Sequence, residues 1–412
     1  MFRMDSRLLA RILLPAVLLA LSACAGLPVR GMVGGQTIDT RVDSEAARYY
    51  LANYLAGKHN NPALDARIDQ VYQAIDGQIL DRTELKELSD EFSTDFAALV
   101  LADQISRVPR NREFRSAFDE AYDYASKAFP EGRAQLPAAA ARYEALIVPT
   151  YLYKRRFVTG ADLAEPRAAL QKVGLPYQFV ETADDGPIES NAEIVMAAIR
   201  AGAQSGRRLI IISASKSSSE VALALTKLDP SETSHVAAWI NAVGALQGTP
   251  LIDDDVLPEL EFIVGKINPA GVESLSAARS RQRFKSFRVP EHVLVVNFFG
   301  IPMSGDVSFR ASRGFFPMKK YGPNDGMVLL ADMIFPGGIT LVKVGSDHFL
   351  MDQDLDITTV ALATAVIRWV ENHGSPTPQR SELDIPNTPN KRPADVPCAP
   401  LTHSCVVAPS PR

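Results

Sequence analysis

The feature that most constrains the fold is a regular alternation of short aliphatic runs and amphipathic helical patterns between residues 145 and 373. The clearest run is RLIIIS, residues 208–213, whose consecutive aliphatic side chains are typical of a strand buried on both faces. One helical pattern, IESNAEIVMAAIRAG, precedes this run, and a second, SSSEVALALTKL, follows it directly. Strands that alternate with helices predict βαβ units, and therefore an α/β fold with a mostly parallel sheet flanked by helices.

The chain on either side of this segment has a different composition. Residues 44–142 carry apolar side chains at helical spacing without a clear strand, so we expect an all-helical accessory region ahead of an α/β domain at 143–373. Glycines are concentrated in residues 24–43, which indicates a tether. Nine of the 28 prolines lie between Pro376 and Pro411. This composition predicts a disordered or extended tail at 374–412.

The first residues have the pattern of a targeting segment. A basic start is followed by an apolar run, Ile12 to Leu21, which is too short to span a bilayer as a helix. The run ends in Leu-Ser-Ala-Cys, which resembles the lipobox of bacterial lipoproteins, where the signal peptide, here residues 1–23, is removed and the cysteine is acylated. The alternative is an ordinary secretory signal that is cut near Ala23 or Ala25.

The lipobox resemblance implies a location. Among such lipoproteins of Gram-negative bacteria, a residue other than Asp after the cysteine points to the outer membrane, and here that residue is Ala25. We therefore expect acyl chains such as palmitate on Cys24 to hold the protein at the outer membrane, facing the periplasm. Cys398 and Cys405 form an even pair, which an oxidising compartment would allow to form a disulfide in the tail.

Charge and motif content exclude some classes of function. The formal net charge is −5 and the sequence pI is about 5.8, so the chain lacks the electrostatic footprint of a nucleic-acid-binding protein. It contains neither a G-x-x-x-x-G-K phosphate loop nor a G-x-G-x-x-G pattern. The run Asp253-Asp254-Asp255 suggests a metal site, but no histidine or spaced set of carboxylates accompanies it, and a solvated acidic turn is the favoured interpretation.

A cluster of small polar residues, Ser213-Ala214-Ser215-Lys216-Ser217-Ser218, follows the buried strand at 208–213. Sites in parallel sheets form at the carboxyl ends of strands, and a sharp strand-to-helix turn there exposes a nucleophile beside the free N–H groups of a helix N-terminus. A serine-rich N-cap explains the same composition without catalysis. The turn also has Ser213 and Ser217 where a nucleophile turn of the common kind has glycine.

The histidines favour the catalytic interpretation. Of six histidines, His348 alone follows an aliphatic run of the α/β segment, ITLVKVG, on its carboxyl side, whereas His235 and His292 precede their runs. A serine nucleophile needs such a base, and the base needs an orienting acid. Asp325, in the Asn-Asp-Gly turn before ITLVKVG, is the favoured acid, and Asp306 in the same long loop is the alternative.

The chain order Ser215, Asp325, His348, with these loop contexts, resembles the α/β-hydrolase family, and within it the lipases and esterases. The resemblance covers residues 145 to 373. Three segments match family loops: Ser213–Ser218 lies at the position of the G-H-S-K-G-G elbow, Asn324–Val328 matches the N-D-G-x-V acid loop, and Asp347–Phe349 matches the D-H-F base loop. Two further segments resemble lipase-like members. Glu189–Val195, E-S-N-A-E-I-V, resembles the helix before the nucleophile strand, and Gly244–Leu251, G-A-L-Q-G-T-P-L, resembles the G-x-P-x-x-G-S/T-P segment after the next strand.

The resemblance implies an activity and a role for each residue. Ser215 would attack an ester carbonyl, His348 would act as the base, and Asp325 would orient the imidazole. The backbone N–H groups of Lys216 and Tyr151 would bind the oxyanion. The substrate would be a small-molecule or lipid ester, and no metal or organic cofactor would be needed.

Three questions stay open in the sequence. Asp347, beside the base, is interpreted as a loop or capping residue rather than as the acid. The aromatic and basic residues between the last two predicted strands indicate an acyl pocket, a lid or a plain packed loop; they are Phe309, Phe315, Phe316, Lys319 and Lys320. A hydrolase-like scaffold that binds an envelope partner without catalysis is the second candidate function. It predicts that Ser215 and His348 lie farther apart than the roughly 3–4 Å of a working pair.

Overall fold

The computed structural model describes residues 26–75, 78–155, 160–254, 266–350 and 354–374. The predictions made for residues 1–25, including acylation of Cys24, and for the Pro-rich tail with Cys398 and Cys405 lie outside these ranges. No helix among the described residues has the length and apolar character needed to cross a membrane.

A six-stranded sheet forms the centre of the molecule, with strand order β4-β3-β5-β6-β7-β8 and parallel pairing throughout. Its strands are β3 Tyr143–Val148, β4 Tyr177–Phe179, β5 Arg208–Ala214, β6 Val236–Ala242, β7 Leu294–Ile301 and β8 Ile339–Val344. The predicted α/β fold with a mostly parallel sheet flanked by helices is confirmed. β5 is central, and Leu209–Ile212 are buried because helices cover both faces of the sheet.

Helices connect these strands. They are α6 Ala164–Lys172, α7 Ile188–Gly202, α8 Lys216–Lys227, α9 Pro230–Thr233, α10 Pro250–Asp253, α11 Pro269–Glu273, α12 Ala277–Phe284, α13 Phe309–Met318 and α14 Leu355–His373. Each predicted helical pattern of the α/β segment forms a helix at the expected place. α8 follows β5 directly, so its N-terminus lies at the carboxyl end of the central strand.

The N-terminal region is helical, as predicted, but it begins with a β-hairpin. The strands β1 Leu27–Val33 and β2 Gln36–Val42 pair in antiparallel fashion around Gly34 and Gly35. The prediction of a tether at 24–43 is therefore wrong: Gly34 and Gly35 form a tight turn, and Val29, Val33, Ile38 and Val42 on the two strands are buried. Five helices follow: α1 Glu45–Ala52, α2 Pro62–Ile75, α3 Arg82–Glu91, α4 Thr94–Arg107 and α5 Pro109–Ala128.

The hairpin and the N-terminal helices cover the edge strand β8. Gln36 donates from Nε2 to Val342 O (3.1 Å) and accepts from Val344 N (3.1 Å). Arg115 of α5 also donates to Val342 O (2.8 Å), and Asn111 accepts from Thr340 N (2.8 Å). These side chains satisfy backbone groups that an edge strand would otherwise leave open. One continuous buried core accordingly runs from the hairpin through the helices to the sheet.

The order of the strands determines where a site can form. After β3 the chain passes outward to β4 and then returns to the other side of β3 to form β5. Loops that leave neighbouring strands in opposite directions open a crevice at their carboxyl ends. Ser215 follows β5 and the segment 149–152 follows β3, so both lie at this crevice.

Candidate active site

Ser215 occupies a sharp turn between β5 and α8. Its backbone angles are φ 53° and ψ −122°, a conformation that non-glycine residues rarely adopt. Its N–H donates to Ala242 O (3.0 Å), and its carbonyl accepts from Ala245 N (3.0 Å), so the loop after β6 holds the turn. Within residues 209–220, Ser215 is the one position that is not buried. The turn therefore presents a serine hydroxyl at the carboxyl edge of the sheet.

Ser213 and Ser217, which stand where glycines were expected, are hydrogen-bonded inside the turn. The hydroxyl of Ser213 accepts from Trp239 Nε1 (2.8 Å) and contacts the Ser218 hydroxyl (3.0 Å). The hydroxyl of Ser217 lies 3.0 Å from Val148 O and 2.9 Å from Ala214 O, and it accepts from Ala214 N (3.0 Å). These bonds join the turn to β3 and β6, so the two serines stabilise the turn by hydrogen bonding.

His348 lies between Ser215 and Asp325. Its Nε2 is 3.1 Å from Ser215 Oγ, and its Nδ1 is 2.7 Å from Asp325 Oδ2. The first distance is that of a nucleophile and base in hydrogen-bond contact. His348 is 8% exposed and Asp325 is fully buried, so water competes little for the two hydrogen bonds.

Asp325 is fixed by the turn that contains it. Its Oδ1 accepts from Met327 N (2.9 Å) and Val328 N (2.8 Å), which leaves Oδ2 directed at the histidine. The Asp325 carbonyl accepts from His348 N (2.9 Å), so acid and base are joined through the backbone as well. Four hydrogen bonds therefore set the position of this carboxylate relative to the ring.

Helix α13 packs against the turn Asn324–Val328, which we call the acid turn because it carries Asp325. The contact is made at a glycine. A Cβ added at Gly314 would lie 1.9 Å from Gly326 O, a separation that no real side chain tolerates. Asn324 donates from Nδ2 to Phe315 O (3.2 Å), which fixes the same contact. Glycine at position 314 thus allows the helix backbone to lie directly on the turn that carries Asp325.

The proposed oxyanion donors flank Ser215. The N–H of Lys216 is the first of α8 and points out of the helix N-terminus, where the helix dipole favours negative charge. Tyr151 lies between Thr150, whose N–H bonds Ala161 O (2.9 Å), and Leu152, whose N–H bonds Asp184 O (2.7 Å). In the described part of the chain, no group accepts a hydrogen bond from the N–H of Lys216 or Tyr151.

A buried ion pair lies beneath this turn, and sequence reasoning missed it. The ammonium of Lys216 contacts Glu220 Oε1 one helical turn later, and both side chains are 2% exposed. Asn191 of α7 donates to the same oxygen (2.8 Å). Lys216 Nζ also lies 5.6 Å from the centre of the Tyr151 ring. The i, i+4 spacing of Lys216 and Glu220 was the available signal.

The pair has an electrostatic cost. Burial raises the pKa of Glu220, and Lys216 and Asn191 oppose that effect by stabilising the carboxylate. Glu220 Oε2 is buried and has no hydrogen-bond partner among the residues that the structure describes. The buried Glu220 carboxylate therefore depends on the Lys216 ammonium for charge compensation.

The other candidate residues have structural partners. Asp306 accepts from Thr40 Oγ1 (2.6 Å) and Met303 N (3.1 Å), away from His348, and Asp347 accepts from Ser308 N (2.8 Å) at the start of α13. Asp254 pairs with Lys320 (3.0 Å). His235 and His292 bond the carbonyls of Ile199 and Thr233 (2.8 Å each). The described residues contain no group of His, Cys, Asp or Glu side chains that could hold a metal ion.

The aromatic residues after β7 divide between core and surface. Phe315 is buried, whereas Phe309 is 81% and Phe316 is 52% exposed. Lys319 turns inward to Asp43 (2.7 Å). The segment forms helix α13, with one face packed on the acid turn and the other open to solvent.

Comparison with known proteins gives a limited result. No protein-family model matches the chain, and no curated protein matches it. Among solved structures, a metagenomic carboxyl esterase is 22% identical, with 57% of this chain and 77% of that chain covered and a TM-score of 0.46. A lipase of Bacillus licheniformis in mature form is 19% identical, with 55% of this chain and 91% of that chain covered and a TM-score of 0.42.

Proposed function

We propose that this protein is an α/β-hydrolase that cleaves carboxylic esters through a serine nucleophile. The observation that carries the proposal is the continuous hydrogen-bonded chain from Ser215 Oγ through the His348 ring to Asp325 Oδ2 (3.1 and 2.7 Å), with the serine on a strained strand-to-helix turn. Each group has the chemistry that its position requires.

The proposed reaction uses these groups in two stages. Ser215 Oγ attacks the ester carbonyl while His348 Nε2 takes its proton. The imidazolium then protonates the leaving alcohol, and an acyl group remains on Ser215. A water molecule, activated by the same nitrogen, hydrolyses this acyl-enzyme and regenerates the serine. The Asp325 carboxylate accepts a hydrogen bond from Nδ1, which fixes the orientation of the ring, and stabilises the imidazolium.

The tetrahedral intermediate requires donors for its oxyanion. We assign this role to the N–H groups of Lys216 and Tyr151, which donate to no acceptor among the described residues. Each such donor contributes roughly 3 kcal/mol to transition-state stabilisation in related mechanisms. The dipole of α8 adds to the same effect because its N-terminus lies beside Ser215.

The alternative, a non-catalytic scaffold, has less support. It rested on the missing glycines of the turn and on the additional helical region. Ser213 and Ser217, which replace those glycines, make hydrogen bonds inside the turn that carries Ser215, and the helical region does not distinguish the two functions. The scaffold alternative also required a separated serine and histidine, whereas their atoms lie 3.1 Å apart.

A fluorophosphonate probe tests the assignment of the nucleophile. We expect stoichiometric labelling of the native protein, loss of labelling in Ser215→Ala, and retained labelling in Ser218→Ala, whose hydroxyl bonds Ser213 instead of a histidine. Hydrolysis of p-nitrophenyl esters should fall by at least about 10³-fold in Ser215→Ala and His348→Ala. Labelling that persists in Ser215→Ala would exclude this serine. A panel of acyl-chain lengths would then define the ester class.

We also propose that the hydrolase is a bacterial lipoprotein, acylated on Cys24 and held at the outer membrane of a Gram-negative envelope. The support is the apolar segment and its Leu-Ser-Ala-Cys end. Labelled palmitate should be incorporated by the native protein but not by Cys24→Ser, and a secreted, unlabelled native protein would contradict the anchor.

A further inference from the structure

We propose that the exposed face of α13 docks on an anionic lipid surface and holds the mouth of the active site against it. We call this surface the basic aromatic face. It consists of exposed residues that recur three or four positions apart, so that they share one side of the helix and the turn after it: Phe309, Arg310, Arg313, Phe316, Pro317 and Lys320.

The face combines the two features of an interfacial helix. Phe309 and Phe316 are two of only five large hydrophobic side chains that are exposed among the described residues, and Phe309 is the most exposed of them. Aromatic side chains that enter the headgroup boundary and cations that pair with lipid phosphates together describe a helix lying in a membrane interface. Two exposed phenylalanines on one side of a helix form an apolar patch of the kind that marks an interaction surface.

The segment 309–321 is basic, whereas the chain as a whole is acidic. Residues 309–321 contain four basic and no acidic side chains, although the whole chain has a formal net charge of −5. Lys319 turns inward to Asp43, and Lys320 pairs with Asp254. Arg310 and Arg313 lie beside aromatic rings, 5.9 Å from the centre of Phe349 and 5.7 Å from the centre of Phe309. An anionic lipid surface complements this local positive charge.

Helix α13 links the basic aromatic face to the loops that carry Asp325 and His348. The buried side of the helix packs on the acid turn at Gly314, and its first turn is joined to the base loop, where Asp347 accepts from Ser308 N. Arg310 lies next to Phe349, the residue that follows His348. A membrane bound at this face would therefore lie beside the loops that carry the acid and the base.

The N-terminal end of the described chain lies at the same side. The carbonyl of Gly26 accepts from Arg41 Nε (2.8 Å), and Gly305, in the loop that leads into α13, donates to Arg41 O (2.8 Å). Two residues of chain span at most about 7 Å. The described chain thus begins beside this loop, two residues after Cys24 in the sequence, so the proposed anchor is compatible with docking through the basic aromatic face.

A tryptophan probe tests the docking directly. In the full chain carrying Phe309→Trp, we expect a blue shift of emission and strong quenching when vesicles of phosphatidylglycerol and phosphatidylcholine contain brominated acyl chains. The two native tryptophans, Trp239 and Trp369, are buried and give a constant background. Tyr124→Trp is the matched control because Tyr124 is 45% exposed on a different helix, α5. It should show little quenching even if an N-terminal anchor holds the protein on the vesicle.

Charge variants test the complementarity. Adding Arg310→Gln or Arg313→Gln to Phe309→Trp should weaken quenching by the anionic vesicles by roughly fivefold per residue. Vesicles of phosphatidylcholine alone should quench much less. Equal quenching in Phe309→Trp and Tyr124→Trp, or none with any vesicle, would overturn the proposal and leave a protein partner as the occupant to test.

The docking and the chemistry can fail separately. Phe309→Trp combined with Ser215→Ala should still be quenched, since docking does not use the nucleophile. Arg310→Gln with Arg313→Gln should leave hydrolysis of a water-soluble ester unchanged but reduce hydrolysis of an ester presented in anionic vesicles. Loss of the soluble activity as well would mean that these arginines support the site itself and would overturn their assignment to docking.

Discussion

Two turns carry the proposed nucleophile and the proposed acid, and they achieve close packing in opposite ways. At the turn around Ser215, serine hydroxyls fill the positions beside the backbone and bond to it, as Ser217 does with Val148 O and Ala214 N. At the turn around Asp325, the backbone of α13 lies directly on Gly326 because Gly314 has no side chain. The first turn is joined to its neighbours by side-chain hydroxyls, whereas the second contacts its neighbouring helix through a residue that has no side chain.

The difference shows when a glycine in a motif is required. A side chain is excluded where its Cβ would meet a backbone atom, as at Gly314. It is accepted where a polar atom on that Cβ can replace a missing hydrogen-bond partner, as at Ser213 and Ser217. Motif letters alone do not separate these cases, because the neighbour comes from a distant part of the chain.

The largest effect is expected beneath the serine turn. Lys216→Met leaves the buried Glu220 carboxylate without its counter-ion and should destabilise the protein by about 3–5 kcal/mol. Lys216→Met with Glu220→Leu removes both charges and should recover most of that loss. Urea unfolding measures both variants. A double variant no more stable than Lys216→Met would show that the turn does not depend on this charge pair.

A single methyl group added at Gly314 should disturb the packing of α13 on the acid turn. Gly314→Ala places Cβ at 1.9 Å from Gly326 O, so the helix must shift away from Asp325. We expect a loss of about 2–3 kcal/mol despite alanine's better helix propensity, together with slower fluorophosphonate labelling. Ser312→Ala, on the same helix but partly exposed, is the control. If Gly314→Ala unfolds and is labelled like the native protein, the acid turn does not require glycine at this contact.

The loop before α13 is bonded to a buried carboxylate, Asp95, whose contribution to stability should change with pH. Asp95 at the start of α4 accepts from the Ser304 N–H (3.1 Å) in the loop before α13. Burial, and next the charge of Asp43, raise the pKa of Asp95 from 3.8 to about 6. The folded state therefore binds the proton more tightly than the unfolded chain, so this group's contribution to stability falls as pH rises from about 4 to 6.

Asp95→Asn removes that titration. The difference in the free energy of unfolding between variant and native protein should move in the variant's favour by up to about 3 kcal/mol between pH 4 and pH 7. Chemical denaturation at several pH values measures it. Asp90→Asn, at a carboxylate that is 66% exposed, should show no comparable trend. A parallel pH dependence in native protein and Asp95→Asn would contradict the assignment.

The smallest effect is expected from restoring a motif glycine. Ser217→Gly removes the hydroxyl that bonds Val148 O and Ala214 N, and it should destabilise the protein by about 1–2 kcal/mol. Ser312→Gly in α13 gives the cost of glycine in a helix without those bonds. If Ser217→Gly is neutral or stabilising, the serine is a tolerated defect and the contrast between the turns is weaker than the structure indicates.

Several elements were predictable because their signals are local. The four aliphatic residues Leu209–Ile212 predicted β5, and helical spacing predicted α7 and α8 around it. The hairpin was not predicted, since its turn glycines, Gly34 and Gly35, fit a flexible tether equally well until the buried positions are known. Glu220 was also overlooked, because an i, i+4 pair usually lies on a solvated face and nothing local indicates its burial.

For the candidate site, the sequence determined which residues could react. Only His348 followed a strand of the α/β segment on its carboxyl side, and the order of strands and loops placed Ser215 and Asp325 at the same edge. The tertiary structure set the distances between them, placed Asp325 rather than Asp306 beside His348, and accommodated Ser213 and Ser217. The physical reason is that strand and helix signals come from neighbouring residues, whereas hydrogen-bond partners and steric limits come from segments tens to hundreds of residues away.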